Sequence, residues 1–218
     1  MPEHNIENNQ VTLTGKVVSG FTFSHELYGE KFFEFDLEVP RLSDTTDVLP
    51  MTISERLIDA NKLVEGTHVD IIGQFRSYNN YKGNGNKLKL TVFVREVSIL
   101  EAESANKNPN QIILNGFICK KPICRKTPFG REISDIILAV NRSYNKSDYI
   151  PVITWGRNAK FSEQLDVGDN VKIWGRIQSR PYEKKLDDGT VLRKVAYEVS
   201  VSKMEIEADN NNKKPDEE

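Results

Sequence analysis

The chain repeats itself at an offset of about one hundred residues. Gly15 returns as Gly116. Phe35-Asp36-Leu37-Glu38-Val39-Pro40-Arg41 returns as Ile136-Ile137-Leu138-Ala139-Val140-Asn141-Arg142, and Asp47-Val48-Leu49-Pro50-Met51 as Asp148-Tyr149-Ile150-Pro151-Val152. These matches share one offset, 101. One inserted residue later, Gly66, Val69 and Gly73 return as Gly168, Val171 and Gly175. Self-similarity of this period marks duplicated units, each of which must bury its own core. A chain of 218 residues has room for two units of about 100 residues, each long enough for one hydrophobic core.

Each copy reads mostly as strand. Val11 to Val17 and Phe33 to Val39 alternate apolar and polar residues, and Ile112 to Ile118 and Ile133 to Val140 take the same places in the second copy. Alternation with period two marks a strand with one face on a core. Pro128-Phe129-Gly130-Arg131 is a turn between them. A third strand follows in each copy, Val48 to Ile53 and Tyr149 to Trp155. Glu55 to Leu63 and Arg157 to Leu165 show a helical period, with Gly66 and Gly168 where such helices would end. Two more strands close each copy. The order of three strands, a short helix and two strands predicts an all-β chain of two tandem five-stranded barrels of the oligonucleotide/oligosaccharide-binding (OB) type. Pattern alone leaves open another small all-β barrel. The expected boundaries are a first domain at 1–101, a linker at 102–111, a second domain at 112–207 and a disordered acidic tail at 208–218.

Hydrophobic residues make up 38% and charged residues 28%, which fits a folded globular chain and not a disordered one. No apolar run approaches the roughly 20 residues that cross a bilayer. The stretch Met1 to Gln10 lacks a signal-peptide core, so a cytoplasmic location with no membrane partner is expected. The net charge of −2 hides an asymmetry. Residues 1–106 hold 10 Lys and Arg against 16 Asp and Glu, residues 107–204 hold 18 against 10, and residues 205–218 hold 2 against 6. Only the second half is set up to attract a polyanion.

The second half also carries the aromatics such a ligand needs. Tyr144, Tyr149, Trp155 and Tyr182 fall on or beside strands, and Phe129 sits in the turn. Among them lie Arg125, Lys126, Arg131, Arg142, Arg157, Arg176, Arg180, Lys184, Lys185, Arg193 and Lys194. Basic groups neutralise phosphates and release counterions. Aromatic rings stack on unpaired bases for roughly 1–3 kcal/mol each without demanding a sequence. The competing reading is core aromatics with solvated charges. Trp174 is ambiguous in facing and stands outside this candidate set.

Residues 112–206 resemble the DNA-binding domain of bacterial single-stranded DNA-binding proteins. The resemblance rests on Ile113-Leu114-Asn115-Gly116, on Arg125-Lys126-Thr127-Pro128-Phe129-Gly130, on Leu138-Ala139-Val140-Asn141-Arg142 with Asp148-Tyr149-Ile150-Pro151-Val152 and Trp155-Gly156-Arg157, and on Val171 to Arg180. It implies that Tyr144, Tyr149, Trp155 and Tyr182 are the stacking positions. It also implies a homodimer presenting four OB folds, and a role in replication, recombination or repair. The first copy departs from the pattern, with Ser43, Val48, Ser54 and the neighbourhood of Asn80 at those positions. Phe21, Phe23, Tyr28, Tyr78 and Tyr81 offer partial contacts from its loops. The first domain is therefore expected to serve protein contacts, with replication or repair proteins as partners, or weak auxiliary DNA binding. The chain ends Pro215-Asp216-Glu217-Glu218 without the terminal Phe of the family, so the usual recruitment route is not expected and the acidic tail is expected to compete with DNA for the basic face.

Other signals point away from catalysis. Cys119 and Cys124 lack the further ligands a zinc site needs and read as a reduced pair. Lys185-Leu186-Asp187-Asp188-Gly189 reads as a turn, and Gly83-Asn84-Gly85 lacks the helix a phosphate loop requires. No nucleophilic triad or carboxylate pair stands out, so no enzyme, cofactor or metal is expected. The leading expectation is binding of single-stranded DNA with little sequence preference. The same stacking chemistry permits RNA, and the alternative from another class is an OB-fold protein-interaction module, such as a primosome or recombination accessory.

Overall fold

A computed structural model describes residues 8–58, 62–80, 87–102, 106–185 and 189–207. The tail at 208–218, Tyr81, the Gly83-Asn84-Gly85 turn and residues 186–188 lie outside them. The chain is mostly β. The first half holds β1 (Asn9–Val17), β2 (Thr22–Leu27), β3 (Glu30–Pro40), β4 (Thr46–Ser54), β5 (His68–Asn80) and β6 (Lys87–Leu100). The second holds β7 (Asn110–Ile118), β8 (Ile123–Lys126), β9 (Glu132–Arg142), β10 (Lys146–Trp155), helix α1 (Arg157–Ser162), β11 (Asn170–Lys185) and β12 (Val191–Ile206).

Alternation decides which face is buried. On β3, Phe35, Leu37 and Val39 are buried while Glu34, Asp36 and Glu38 between them are not; on β9, Ile136, Leu138 and Val140 are buried in the same places. Within each half the strands pair in the order β2-β3-β4-β6-β5-β1 and β8-β9-β10-β12-β11-β7. β1 also returns to β3, and β7 to β9, which closes each ring. Gly15 and Gly116 mark the crossings. A Cβ at either would collide with a backbone carbonyl, of Glu38 or Ala139, so only glycine lets the strands approach.

Three expectations need correction. Each half has six strands, because short β2 and β8 pair on the edge of β3 and β9. The helix expected at Glu55 to Leu63 is a 3₁₀ turn of three residues, Glu55–Leu57, ended by extended backbone at Ile58 (φ −90, ψ 110); residues 59–61 lie outside the description. The segment read as a linker at 102–111 is tied down where it is described. Thr14 N donates to Pro109 O (2.8 Å), Asn106 Nδ2 donates to Thr14 Oγ1 (2.9 Å), and β7 begins at Asn110. Its composition is that of a loop, but the free edge of β1 recruits its polar groups.

That edge joins the halves. β1 pairs antiparallel with β7 from Asn9↔Leu114 to Leu13↔Asn110. Asn110 is the repeat equivalent of Asn9, and Leu114 of Leu13, so the seam has an approximate twofold. Beside it each half repeats one device. The β1–β5 ladder ends at Gly73, where β5 has a bulge against β6, and the β7–β11 ladder ends at Gly175, where β11 has one against β12. Beyond the bulge a side chain replaces the ladder. Asn9 Nδ2 donates to Phe75 O (2.7 Å) and accepts from Phe75 N (2.8 Å). Asn110 does the same with Ile177 (2.7 and 2.9 Å).

Two buried carboxylates cross the seam. Asp47 on β4 accepts from Ser179 N on β11 (2.7 Å) and from Arg41 at Nε and Nη2 (2.7 and 2.6 Å), while Arg176 Nη1 lies 3.3 Å away. Its counterpart Asp148 on β10 accepts from Ser77 N on β5 (2.7 Å), with Arg142 Nε 3.1 Å from its other oxygen. A ladder bond contributes roughly 0.5–1.5 kcal/mol net. Removing one partner of a buried ion pair costs about 3–5 kcal/mol. The shorter ion pairs, Arg41 with Asp47 and Arg142 with Asp148, lie within each half. What crosses the seam at both is the hydrogen bond from Ser179 N or Ser77 N, and a bond to a charged group contributes roughly 1.5–3 kcal/mol net.

Burial holds the Asp148 carboxyl above the usual aspartate range, against the opposing pull of the Ser77 N–H, Arg142 and Arg76. The native state then binds this proton more tightly than the unfolded chain, so Asp148 favours folding most at low pH. That contribution fades as pH rises from the ordinary value of 3.8 through the raised native value. Asp148→Asn keeps an acceptor for Ser77 and does not titrate. Urea melts across this window are expected to show the variant gaining stability relative to wild type as pH rises.

Candidate nucleic-acid interface

Residues opposite one another in a ladder point to the same side of the sheet. Tyr149, Pro151, Ile153 and Trp155 share the outward side of β10, where Tyr149 and Trp155 are exposed and Ile153 is buried. Across β9 it continues with Ala139, Ile137, Asp135 and Ile133, and across β8 with Ile123 and Arg125. On the other flank Ile153 meets Ser200 of β12, and β12 meets β11 at Ser200↔Arg176, Glu198↔Gln178, Ala196↔Arg180 and Lys194↔Tyr182. Register thus puts Tyr149, Trp155, Tyr182, Arg125, Arg176, Arg180 and Lys184 on one continuous outer surface. Tyr149 and Trp155 are six residues apart, about 20 Å along a strand.

The surface is held in place by a chain of hydrogen bonds. Arg176 Nη2 donates to Gln178 Oε1 (2.9 Å), and Gln178 Nε2 donates to Glu198 Oε1 (2.7 Å). Arg180 reaches Glu198 through Nε (3.2 Å) and Nη2 (3.3 Å). The Glu198 hydrogen bonds raise the Arg180 guanidinium above its ordinary value. Burial, with Arg41 nearby, lowers that of Arg176 despite Asp47. Arg125 Nε pairs with Asp135 at 2.9 Å. These cations are oriented before any ligand arrives, which reduces the ordering cost of binding.

Other candidates sit at the rim. Phe129 tops the β8–β9 turn, flanked by exposed Lys126 and Arg131. Arg157 is exposed at the start of α1. Tyr144 tops the β9–β10 hairpin and is 94% exposed, with a positive φ of 63°. Two candidates lie apart from the aromatic row. Arg142 is drawn onto Asp148 and over the Tyr78 ring of the first half, 5.8 Å from its centroid. Arg193 faces Glu183 on the reverse side of the β11–β12 hairpin, whereas Lys194 lies directly opposite Tyr182. Cys119 and Cys124 are both free thiols.

The first half builds the same surface with different chemistry. Opposite Val48, Pro50 and Thr52 on β4 stand Glu38, Asp36 and Glu34 on β3. Their equivalents in the second half are Ala139, Ile137 and Asp135. Burial raises the Asp36 carboxyl, with Glu34 adding to the effect. Burial also raises Glu34, but hydrogen bonds from Lys89 and Ser24 outweigh it and leave its value lowered. A stripe of carboxylates replaces the apolar floor beneath Tyr149.

A family model described as the single-strand binding protein family matches residues 109–207. Single-stranded DNA-binding protein B of Bacillus subtilis is 34% identical over 83 residues, 35% of this chain and 74% of that one. Single-stranded DNA-binding protein 2 of Staphylococcus aureus is 31% identical over 111 residues, 48% of this chain and 78% of that one. The chain belongs to the single-strand binding protein family. It spans 56% of the length of another relative, single-stranded DNA-binding protein A of Bacillus subtilis, at 31% identity over 96 residues and 41% of this chain. The crystal structure of the single-stranded DNA-binding protein from Thermus aquaticus superposes with a TM-score of 0.77 over 95% of this chain and 96% of that one, at 19% identity. That likeness shows that the fold of the whole described chain, both halves included, is shared with that structure.

Within this family member, Tyr144 carries a conformational cost. A side chain in the left-handed region costs roughly 1–2 kcal/mol, while glycine there gives back part of it as unfolded-state entropy. Tyr144→Gly is expected to be neutral or stabilising by up to about 1 kcal/mol. Thermal melts of the variant beside wild type check this, and a clear loss of stability would show that the ring is needed for the fold.

Proposed function

We propose that this chain binds single-stranded DNA with little sequence preference, as its relatives are named for doing, through the outer surface of its second half. We read the two halves as tandem OB-type barrels, one kept for DNA and one turned to other work. The carrying observation is the outward row of Tyr149, Trp155 and Tyr182, interleaved with Arg176, Arg180 and Lys184 by strand register. Bases stack on the rings while phosphates meet the guanidinium and ammonium groups. Phe129 and Tyr144 at the hairpin tips extend the surface. Stacking on rings and contact with phosphates make no demand on sequence, which suits a protein that protects single strands in replication, recombination or repair. The acidic stripe of the first half repels phosphates and supports a role in protein contact.

Titration with oligo-dT, followed by tryptophan fluorescence at several salt concentrations, tests the reading. Wild type is expected to quench and to lose affinity steeply with salt. Trp155→Ala is expected to weaken binding by roughly 1–3 kcal/mol, the contribution of one stacked base. No binding by wild type at low salt would instead favour the protein-interaction module.

A homodimer presenting four barrels is the assembly we favour. The outer face of the seam sheet carries opposite charges at equivalent positions. Asp70, Ile72 and Glu96 of the first half correspond to Lys172, Trp174 and Lys203 of the second. Glu205, in the place of Ser98, pairs with Lys203 at 2.6 Å and leaves the second-half face net positive by one. Lys203 Nζ lies 4.5 Å from the centre of the Trp174 ring. A second copy laid with its first half over this second half joins unlike charges; the other stacking joins like ones. In sedimentation equilibrium Lys203→Glu is expected to dissociate the dimer, and Lys203→Glu with Glu96→Lys to restore it. A dimer equally tight in all three forms would rule out this face.

A further inference from the structure

A carboxylate lies within the basic surface of the second half. By strand register Glu198 of β12 is on the same outward side as Arg176, Arg180 and Tyr182, yet it is only 7% exposed. An acid among cations that meet phosphates weakens their field. Its bonding shows what it does there instead.

Glu198 grips Arg180 with both oxygens. Oε1 accepts from Nε (3.2 Å) and Oε2 from Nη2 (3.3 Å). A fork of this kind holds a planar guanidinium in one orientation, and about half of the Arg180 side chain, 53%, stays open to solvent. Glu198 Oε1 also accepts from Gln178 Nε2 (2.7 Å). An ionised carboxylate only accepts, so the Gln178 amide must turn its NH2 group toward it. Its oxygen is then left facing Arg176 and accepts from Nη2 (2.9 Å). The other terminal nitrogen of Arg176, Nη1, lies 3.3 Å from Asp47. Arg176 is thus held at one end by Asp47 and at the other by Glu198 acting through Gln178.

The first half shows the same strands without this carboxylate. Thr91 takes the place of Glu198 and bonds Thr52 Oγ1 and Pro50 O, both at 3.0 Å. Arginine and glutamine exchange places, with Gln74 standing for Arg176 and Arg76 for Gln178. The Arg76 guanidinium lies over a ring, 3.8 Å from the centre of Phe93, and bonds Gln74 Oε1 through Nε and Nη2 (3.2 and 2.8 Å). Where the acid is missing, the cation takes another seat.

We infer that Glu198 is a positioning residue for DNA binding, holding Arg180 directly and Arg176 through Gln178 in the orientation that phosphates meet. The inference rests on the single-stranded DNA reading. Two long side chains are ordered in the free protein, so the strand does not have to order them. The consequence runs against simple charge counting: taking this negative charge out of the surface weakens binding of a polyanion.

The experiment measures oligo-dT affinity at several salt concentrations for Glu198→Gln, which nearly keeps the shape of the side chain. Affinity is expected to fall by roughly two- to tenfold for each arginine released. In a chain that already carries Arg176→Gln and Arg180→Gln, the same substitution is expected to cause no loss, because nothing remains to be positioned; a fold defect would persist there. Gln178→Met leaves the Glu198–Arg180 fork in place. It is expected to weaken binding by the Arg176 share alone, and to have no effect once Arg176 is replaced. Affinity that is unchanged or raised by Glu198→Gln overturns the inference, as does a loss that persists with both arginines gone. Should Glu198→Gln melt too low to titrate, the Gln178→Met comparison with and without Arg176 decides alone. Wild type that binds no oligo-dT overturns the single-stranded DNA reading instead.

Discussion

The two halves are locked by a pair of carboxylates that have no access to water. A buried carboxylate must find donors or be protonated. Across the seam Asp47 accepts from Ser179 N and Oγ and from Arg176, and Asp148 accepts from Ser77 N. Each also faces an arginine of its own half, Arg41 hydrogen-bonded to Asp47 and Arg142 ion-paired with Asp148. Backbone donors cannot reorient as side chains do, so each bond fixes a strand and not merely a residue. β11 is held against β4, and β5 against β10. The outer surface on β10 and β11 follows from this placement. Arg176 belongs both to the Asp47 lock and to the outer surface of the second half, whereas Arg142 turns from Asp148 to the Tyr78 ring.

Much of this was legible in the chain. The offset of 101 announced two equivalent units, and alternation along Phe33 to Val39 and Ile133 to Val140 gave the strands and their buried faces. The aromatic positions Tyr149, Trp155 and Tyr182 could be picked out because strand alternation and family resemblance agreed. What escaped depended on partners far away in sequence. The repeat displayed Asp47 and Asp148 plainly, but nothing local says that their donors are Ser179 and Ser77. For the same reason Arg142 and Arg176 read as simple phosphate ligands, although the structure ties both to aspartates. The reverse facing of Arg193 follows from hairpin register, which a run of charged residues does not reveal. The first-half helix failed because Leu57, Ile58, Ala60 and Leu63 satisfy a helical period while the backbone is already extended at Ile58.

The duplication separates what the fold needs from what the surface does. Gly15 and Gly116 answer the same steric demand, and Asn9 and Asn110 bridge the same gap in the ladder. These pairs cannot change without cost to the backbone. The outward positions of β3 and β9 face no such demand. There Glu34, Asp36 and Glu38 oppose Asp135, Ile137 and Ala139 on nearly the same geometry. One scaffold thus presents an acidic surface and an aromatic, basic one.

The β1–β7 seam has a consequence for how these surfaces could diverge. When two separate copies pair through one strand, any change appears on both sides of the joint at once, and the interface must suit itself. Here the partners are covalently joined through segments pinned at Asn106 and Pro109. Their effective concentration does not depend on how much protein is present. Each side of the joint can accept a substitution that the other never sees. Arg76 on one side with Gln178 on the other, and Lys146 with Thr45, are departures that a joint between identical copies could not hold.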